Sequence, residues 1–173
     1  NASAIAMNKL LTKNYLSQFS KNTAEQIIFP KTYDFKSLNE YKNFLPLVLK
    51  PINGGSSVEI DILNNEDDLN YVKDKLFSNQ FLVEPLVGNR ELTVSVLENK
   101  PLVVTEIISK KNFFYDYNSK YSSNGSLHIL PAKIPNSIYN KVVKWAKLAH
   151  ELLGCSGISR SDFRYDDNRD TLY

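Results

Sequence analysis

Residues 47–62, Leu-Val-Leu-Lys-Pro-Ile-Asn-Gly-Gly-Ser-Ser-Val-Glu-Ile-Asp-Ile, constrain the fold more than any other stretch of the chain. Leu47, Val48 and Leu49 make a short apolar run. Pro51 cannot donate to a ladder and predicts the end of a strand there. Val58, Ile60 and Ile62 then alternate with Glu59 and Asp61, the period of a half-buried strand. The pattern reads as strand, glycine-rich loop, strand. Gly54 and Gly55 let the backbone approach a ligand with its amide groups exposed, and Ser56 and Ser57 add donors. Lys50 brings a positive charge to the base of the loop. These are the parts of a polyphosphate cradle, and equally those of a plain hairpin turn. The phosphate loops that open a helix, G-x-G-x-x-G and G-x-x-x-x-G-K-[ST], are not present.

A chain of 173 residues accommodates one domain or two small ones. With 42% hydrophobic residues, ten Tyr and nine Phe, it has ample material for a core. The net charge of +2 gives no reason to expect nucleic acid or a membrane surface as partner. No apolar run approaches the roughly 20 residues that span a bilayer, and no signal peptide is recognised. Cys155 stands alone, so neither an internal disulfide nor a Cys/His zinc site is expected, and a reducing, cytoplasmic compartment is. Both ends read as cut from a longer protein: the chain opens on Asn1 and stops at Tyr173 as a new strand begins.

Ala4 to Leu16 is expected to be helical, with Lys9 on it as a solvated charge or a ligand. Ile27 to Phe29 predicts a short strand, and Ser37-Leu38-Asn39-Glu40 a capping box opening a short helix. Asn65 caps a predicted helix from Glu66 to about Phe77 that buries Leu69, Val72 and Leu76. Phe81 to Val83 is a buried strand running into Glu84-Pro85-Leu86-Val87-Gly88, where a boundary between subdomains 1–85 and 86–173 is expected. Glu91 to Leu97 and Leu102 to Ile108 predict an antiparallel hairpin. Asn136 or Ser137 should cap a long helix with Ile138, Val142, Trp145, Ala149 and Leu153 facing inward and Gly154 ending it.

Two stretches carry chemistry. Residues 110–125 are long, polar and aromatic without periodicity, which fits a lid that orders over a ligand or a surface loop. In the predicted strand Ile158 to Tyr165, period 2 puts Arg160, Asp162 and Arg164 on one face. They would be a surface ion pair, or a phosphate clamp beside a carboxylate for Mg²⁺. His128 is assigned no role.

Met7-Asn8-Lys9, Lys50-Pro51, Gly55-Ser56-Ser57-Val58, Gly88-Asn89-Arg90-Glu91-Leu92-Thr93, the run Phe114 to Tyr121, Pro131-Ala132, Leu153 to Gly157 and Arg160-Ser161-Asp162-Phe163 follow one another in a recognisable order. In that order the chain resembles the ATP-grasp superfamily, and within it the D-alanine–D-alanine ligases, over essentially its whole length. The resemblance implies an α+β ATP-grasp fold of two α/β subdomains with the nucleotide between them. It implies ATP and Mg²⁺ (or Mn²⁺) as cofactors, D-alanine as substrate and a homodimer.

By that resemblance Lys9 and Lys50 hold ATP phosphates, and Ser56 and Ser57 belong to a closing loop in which Ser56 orients lid and substrates. Glu84 meets the adenine amine, Leu86 and Val87 line the base, and Glu91 holds the ribose hydroxyls. Lys120 and Tyr121 come over on the lid, Lys120 towards the γ-phosphate. Arg160 stabilises charge on a tetrahedral intermediate, and Asp162 binds the metal. Tyr121 after the lid lysine matches the dipeptide-forming ligases. Two departures stand out. Val58-Glu59 replaces the usual Val-Gly, which would add a negative charge near the phosphates. The domain seating the first D-alanine and the Glu-x-Asn strand of further metal ligands are expected outside this stretch. Alternatives are another ATP-grasp carboxylate–amine ligase and a non-catalytic nucleotide-binding module.

Overall fold

The computed structural model describes residues 1–55, 58–109 and 125–173. Two antiparallel sheets organise it. The smaller has strands β1 (Leu47–Pro51), β2 (Asp61–Leu63) and β3 (Phe81–Pro85) in the order β2-β1-β3. Its register sets Leu47 opposite Leu63 and Leu49 opposite Val83. These four side chains are buried with Tyr41, Leu69, Val72 and Leu76 of the helices α3 (Leu38–Lys42), α4 (Glu66–Tyr71) and α5 (Lys73–Leu76), and of the residue between the last two. The alternation then puts Val48, Lys50 and Glu84 on the sheet's other face.

The larger sheet runs β7 (Ser126–Ile129), β6 (Thr105–Ser109), β4 (Arg90–Leu97), β8 (Ile158–Asp166), β9 (Thr171–Leu172), with β5 (Lys100–Pro101) on β4. Leu92, Val94, Val96, Phe163 and Tyr165 make its buried face. They pack on Ile138, Val142, Trp145, Ala146 and Ala149 of α6 (Asn136–Leu152). Trp145 is fully buried, as its place in the apolar stripe predicts. Leu16 of the N-terminal helix α2 (Lys9–Ser20) and Ile27 belong to this same core. The opposite face of β4 and β8 carries three cross-strand pairs, Glu91–Arg164, Thr93–Asp162 and Ser95–Arg160. That face is polar and looks towards the smaller sheet.

Several local expectations are corrected. The first helix is two, α1 (Ala2–Met7) and α2, because extended Asn8 interrupts them and its side chain accepts the Leu11 N–H at 2.8 Å as the cap of α2. The helix predicted from Glu66 likewise breaks at Val72. Ile27 to Phe29 form no strand; the Ile27 N–H is taken by the Ser20 hydroxyl at the end of α2. Val58 and Glu59 lie in a turn with Glu59 at φ 58°, so β2 starts only at Asp61. Residues 102–104 separate β5 from β6. Pro135 precedes α6, and neither Asn136 nor Ser137 caps it. Gly154 does end that helix at φ 65°, the left-handed conformation a C-terminal glycine supplies.

Candidate functional site

A cavity of about 310 Å³ opens between the polar faces of the two sheets. Seven residues singled out from the sequence line it: Lys9, Lys50, Glu84, Leu86, Val87, Glu91 and Asp162. Val48, Ile60 and Phe163 give it apolar walls. Ser56, Ser57, Lys120 and Tyr121 lie outside the described residues.

At one end sits Glu84, 5% exposed. A carboxylate this deep needs compensation, and it has two cations. Lys13 Nζ lies 2.8 Å from Oε1 and Lys50 Nζ 2.5 Å from Oε2. Lys13 also donates to the Thr32 hydroxyl at 2.6 Å and to the Pro30 carbonyl, so it ties Glu84 to the segment before α3. Lys50 and Glu84, assigned from the sequence to the phosphates and to the base, thus meet at one point.

Lys9 begins α2 where its backbone N–H reaches the Ile52 carbonyl at 2.8 Å, and its ammonium donates to the Gly54 carbonyl at 2.8 Å. The glycine-rich segment is therefore anchored on Lys9. Burial, and secondarily the charge of nearby Lys50, hold the Lys9 ammonium below the ordinary lysine pKa. Two lysines that repel each other in a partly dehydrated place are suited to an anion.

The other end is built by β4 and β8. Asp162 Oδ1 accepts from the Thr93 hydroxyl at 2.7 Å and from Arg160 Nε at 3.0 Å, and Arg160 Nη2 reaches Oδ2 at 3.1 Å. This pair is open to solvent, with side-chain exposures of 58% for Arg160 and 47% for Asp162. Arg160 does not line the cavity itself and meets it through Asp162. Between the two ends, Glu91 Oε2 accepts from Arg164 Nη1 at 3.3 Å.

The chemistry of the metal can be tested on these groups. Among the described residues no cluster of three or more His, Cys, Asp or Glu could hold an ion. Asp162 offers one carboxylate on the cavity wall, which fits Mg²⁺ only in the manner where phosphates supply most of the other ligands. Glu59 does not line this cavity. It borders a separate cavity with Asn8, Pro51 and Gln80, and its charge acts on Lys75 of α5.

Three residues at the site had not been given roles from the sequence. Lys13 follows Lys9 by four positions and so shares its helix face, which was a usable signal. Thr93 stands two after Glu91. Arg164 stands two after Asp162 and was placed on the right face without a partner.

Compared with known proteins, residues 16–173 match the family model described as D-ala D-ala ligase C-terminus. The D-alanine–D-alanine ligase of Bartonella henselae is 38% identical over 99% of this chain and 56% of its own length. The chain thus spans about half the length of the curated relatives it matches. Among solved structures, the D-alanine–D-alanine ligase of Bacillus anthracis superposes with a TM-score of 0.73 at 25% identity, covering 99% of this chain and 57% of that one. The same enzyme complexed with ATP superposes at a TM-score of 0.68, with 25% identity, over 99% of this chain and 55% of that one.

Proposed function

Because this chain belongs to the D-ala D-ala ligase C-terminus family and has its α+β ATP-grasp fold, we propose that it forms most of the nucleotide site of a D-alanine–D-alanine ligase. The observation that carries this reading is the convergence of Lys9, Lys50, Glu84, Glu91 and Asp162 on one cavity between two sheets. An ATP complex of a related ligase adds support.

In this reading the base lies at the buried Glu84 end, with Leu86 and Val87 against it. Glu91 takes the ribose hydroxyls. Lys9 and Lys50 face the phosphates, and Ser56 and Ser57 close over them. The γ-phosphoryl group passes to a carboxylate oxygen of one D-alanine, leaving ADP and an acyl phosphate. The amine of a second D-alanine attacks that carbonyl, loses a proton and expels phosphate. Lys120, on the lid with Tyr121, neutralises charge on the phosphoryl group in transit, and Arg160 does so for the tetrahedral intermediate. Ser56 orients the substrates. Asp162 would hold Mg²⁺ (or Mn²⁺), which when bound draws charge from the phosphate oxygens. The lid would keep water from the acyl phosphate. The seat of the first D-alanine is assigned to no residue of this chain.

The product would be a peptidoglycan precursor, and on that reading we infer a cytoplasmic enzyme. No helix among the described residues is long and apolar enough to cross a membrane. We also infer two subdomains meeting at the Glu84-Pro85-Leu86 segment, with the division at 85 corrected in that Leu16 and Ile27 of the first stretch pack into the core of the second, and a homodimer. The test is phosphate release from ATP by the full-length protein with and without D-alanine and Mg²⁺. D-alanine-dependent release with dipeptide formed in step is expected. Release indifferent to D-alanine would overturn the reading.

A further inference from the structure

The segment joining the two sheets, residues 86–89, has a cation beneath it that no step above uses. Arg164 of β8 donates from Nε to the Val87 carbonyl at 3.2 Å and from Nη2 to the Gly88 carbonyl at 2.9 Å. Its third nitrogen, Nη1, binds Glu91. One rigid planar fork therefore holds two consecutive backbone carbonyls and a carboxylate at once, which a lysine's single ammonium cannot do. The register explains why it reaches all three: Arg164 stands directly opposite Glu91 across β4 and β8. The turn it grips is tight. Gly88 sits at φ 63°, and a Cβ there would come within 3.0 Å of the Tyr165 backbone, so the linker passes against β8 with no room for a side chain. The side chains of Arg164 and Glu91 are 23% and 16% exposed, so the contact is largely shielded from solvent.

We propose that Arg164 is a positioning residue that fixes the nucleoside-binding wall, setting the Glu91 carboxylate and the Val87–Gly88 backbone in one arrangement before a nucleotide arrives. This rests on the reading of Glu91 as the ribose ligand. Arg164 lines the same cavity, and the role proposed for it runs through Glu91 and the Val87–Gly88 backbone that it holds. Its effect is to keep Glu91 from swinging, so that the energy of its hydrogen bonds to the ribose is not spent on ordering the carboxylate. A linker packed on β8 would by itself hold the base, but would not make ribose recognition depend on Arg164.

The experiment measures direct binding of ATP and of 2′,3′-dideoxy-ATP to the full-length protein by calorimetry, which requires no turnover. The wild type is expected to prefer ATP by at least about tenfold, the scale of hydrogen bonds to a charged group. In Arg164→Met that preference is expected to fall to about threefold or less, with ATP weakened more than the dideoxy analogue. Arg164→Lys, which keeps a cation under the linker and guards against a misfolded Met variant, is expected to fall between. A variant that weakens both nucleotides by the same factor, or neither, overturns the positioning role while leaving the nucleotide site standing. A wild type indifferent to the ribose hydroxyls overturns the role of Glu91 and this inference with it. Absence of D-alanine-dependent turnover, with the binding ratios as expected, overturns the ligase reading alone.

Discussion

Glu84 and Asp162 are both carboxylates on the wall of one cavity, and both have cations within 3.0 Å, yet they are built for different purposes. Glu84 is nearly inaccessible and is held by Lys13 and Lys50 from two elements far apart in sequence. Asp162 and Arg160 are two residues apart on one strand and about half exposed. A buried charge that loses a partner is expensive, whereas an exposed pair is worth little to folding. The Glu84 end is therefore part of the framework as well as the site. The Asp162 end can be altered for chemistry at small cost to the fold.

The sharpest way to break this contrast is Glu84→Gln. It leaves Lys13 and Lys50 beside a neutral amide in a dehydrated place and should lower stability by about 3–5 kcal/mol. Urea unfolding followed by circular dichroism would measure it. Lys13→Met comes next, at about 3 kcal/mol, because Glu84 keeps Lys50. A loss under 1 kcal/mol in both would mean that the network is incidental. Asp162→Asn, by contrast, should change stability by no more than about 1 kcal/mol while removing Mg²⁺-dependent turnover. Comparable destabilisation at both ends would erase the distinction.

Lys9 lies nearer the middle, and its charge state offers a milder test. Its folded-state pKa is lowered, by burial first and by Lys50 second. For a base lowered in this way, the cost of holding the charge in the folded protein is fully present below the folded value. It is relieved as pH rises through that value towards the ordinary 10.5. Phosphates would restore the charge, so nucleotide binding should take up protons in that window. ATP affinity should fall as pH rises through the lowered value. Lys9→Arg, always charged, should lose that pH dependence; an unchanged profile would take Lys9 out of the anion site.

These contrasts were only half visible in the sequence. The strands at 90–97 and 158–166 were legible because each buries one face, so Leu92, Val94 and Val96 on β4, and Phe163 and Tyr165 on β8, are separated from Glu91, Thr93, Asp162 and Arg164 by strict alternation. The cavity-lining residues were legible through motifs. What period and motif could not disclose is pairing across the chain. Lys13 finds Glu84 71 residues away, and Arg164 finds Val87 77 residues away. Spacing put Lys13 on the helix face of Lys9 and Arg164 on the strand face of Asp162, but nothing local names the partner of either. The breaks at Asn8 and Val72 were missed because both residues sit in plausible helical patterns, although Asn8 is of the type that caps a helix and does so here.

Glu59 is the smallest and most discriminating case, a third carboxylate next to the glycine-rich loop that belongs to neither end. The sequence set its charge beside the phosphates, whereas in the structure the residue borders another cavity and is one of the lesser influences that raise the Lys75 pKa. Its backbone at φ 58° is one that L residues adopt at a cost of about 1–2 kcal/mol, which glycine avoids. Glycine in turn loses about 0.5–1 kcal/mol through the greater freedom of the unfolded chain. Glu59→Gly should therefore be neutral or stabilising, by no more than about 1.5 kcal/mol, a rise of a few degrees in Tm. Because the residue borders a different cavity, the KM for ATP should stay within about twofold. A several-fold tightening of ATP on this substitution would return Glu59 to the phosphate site. It would also mean that the acidic residues around the cavity form one field rather than two separate ends.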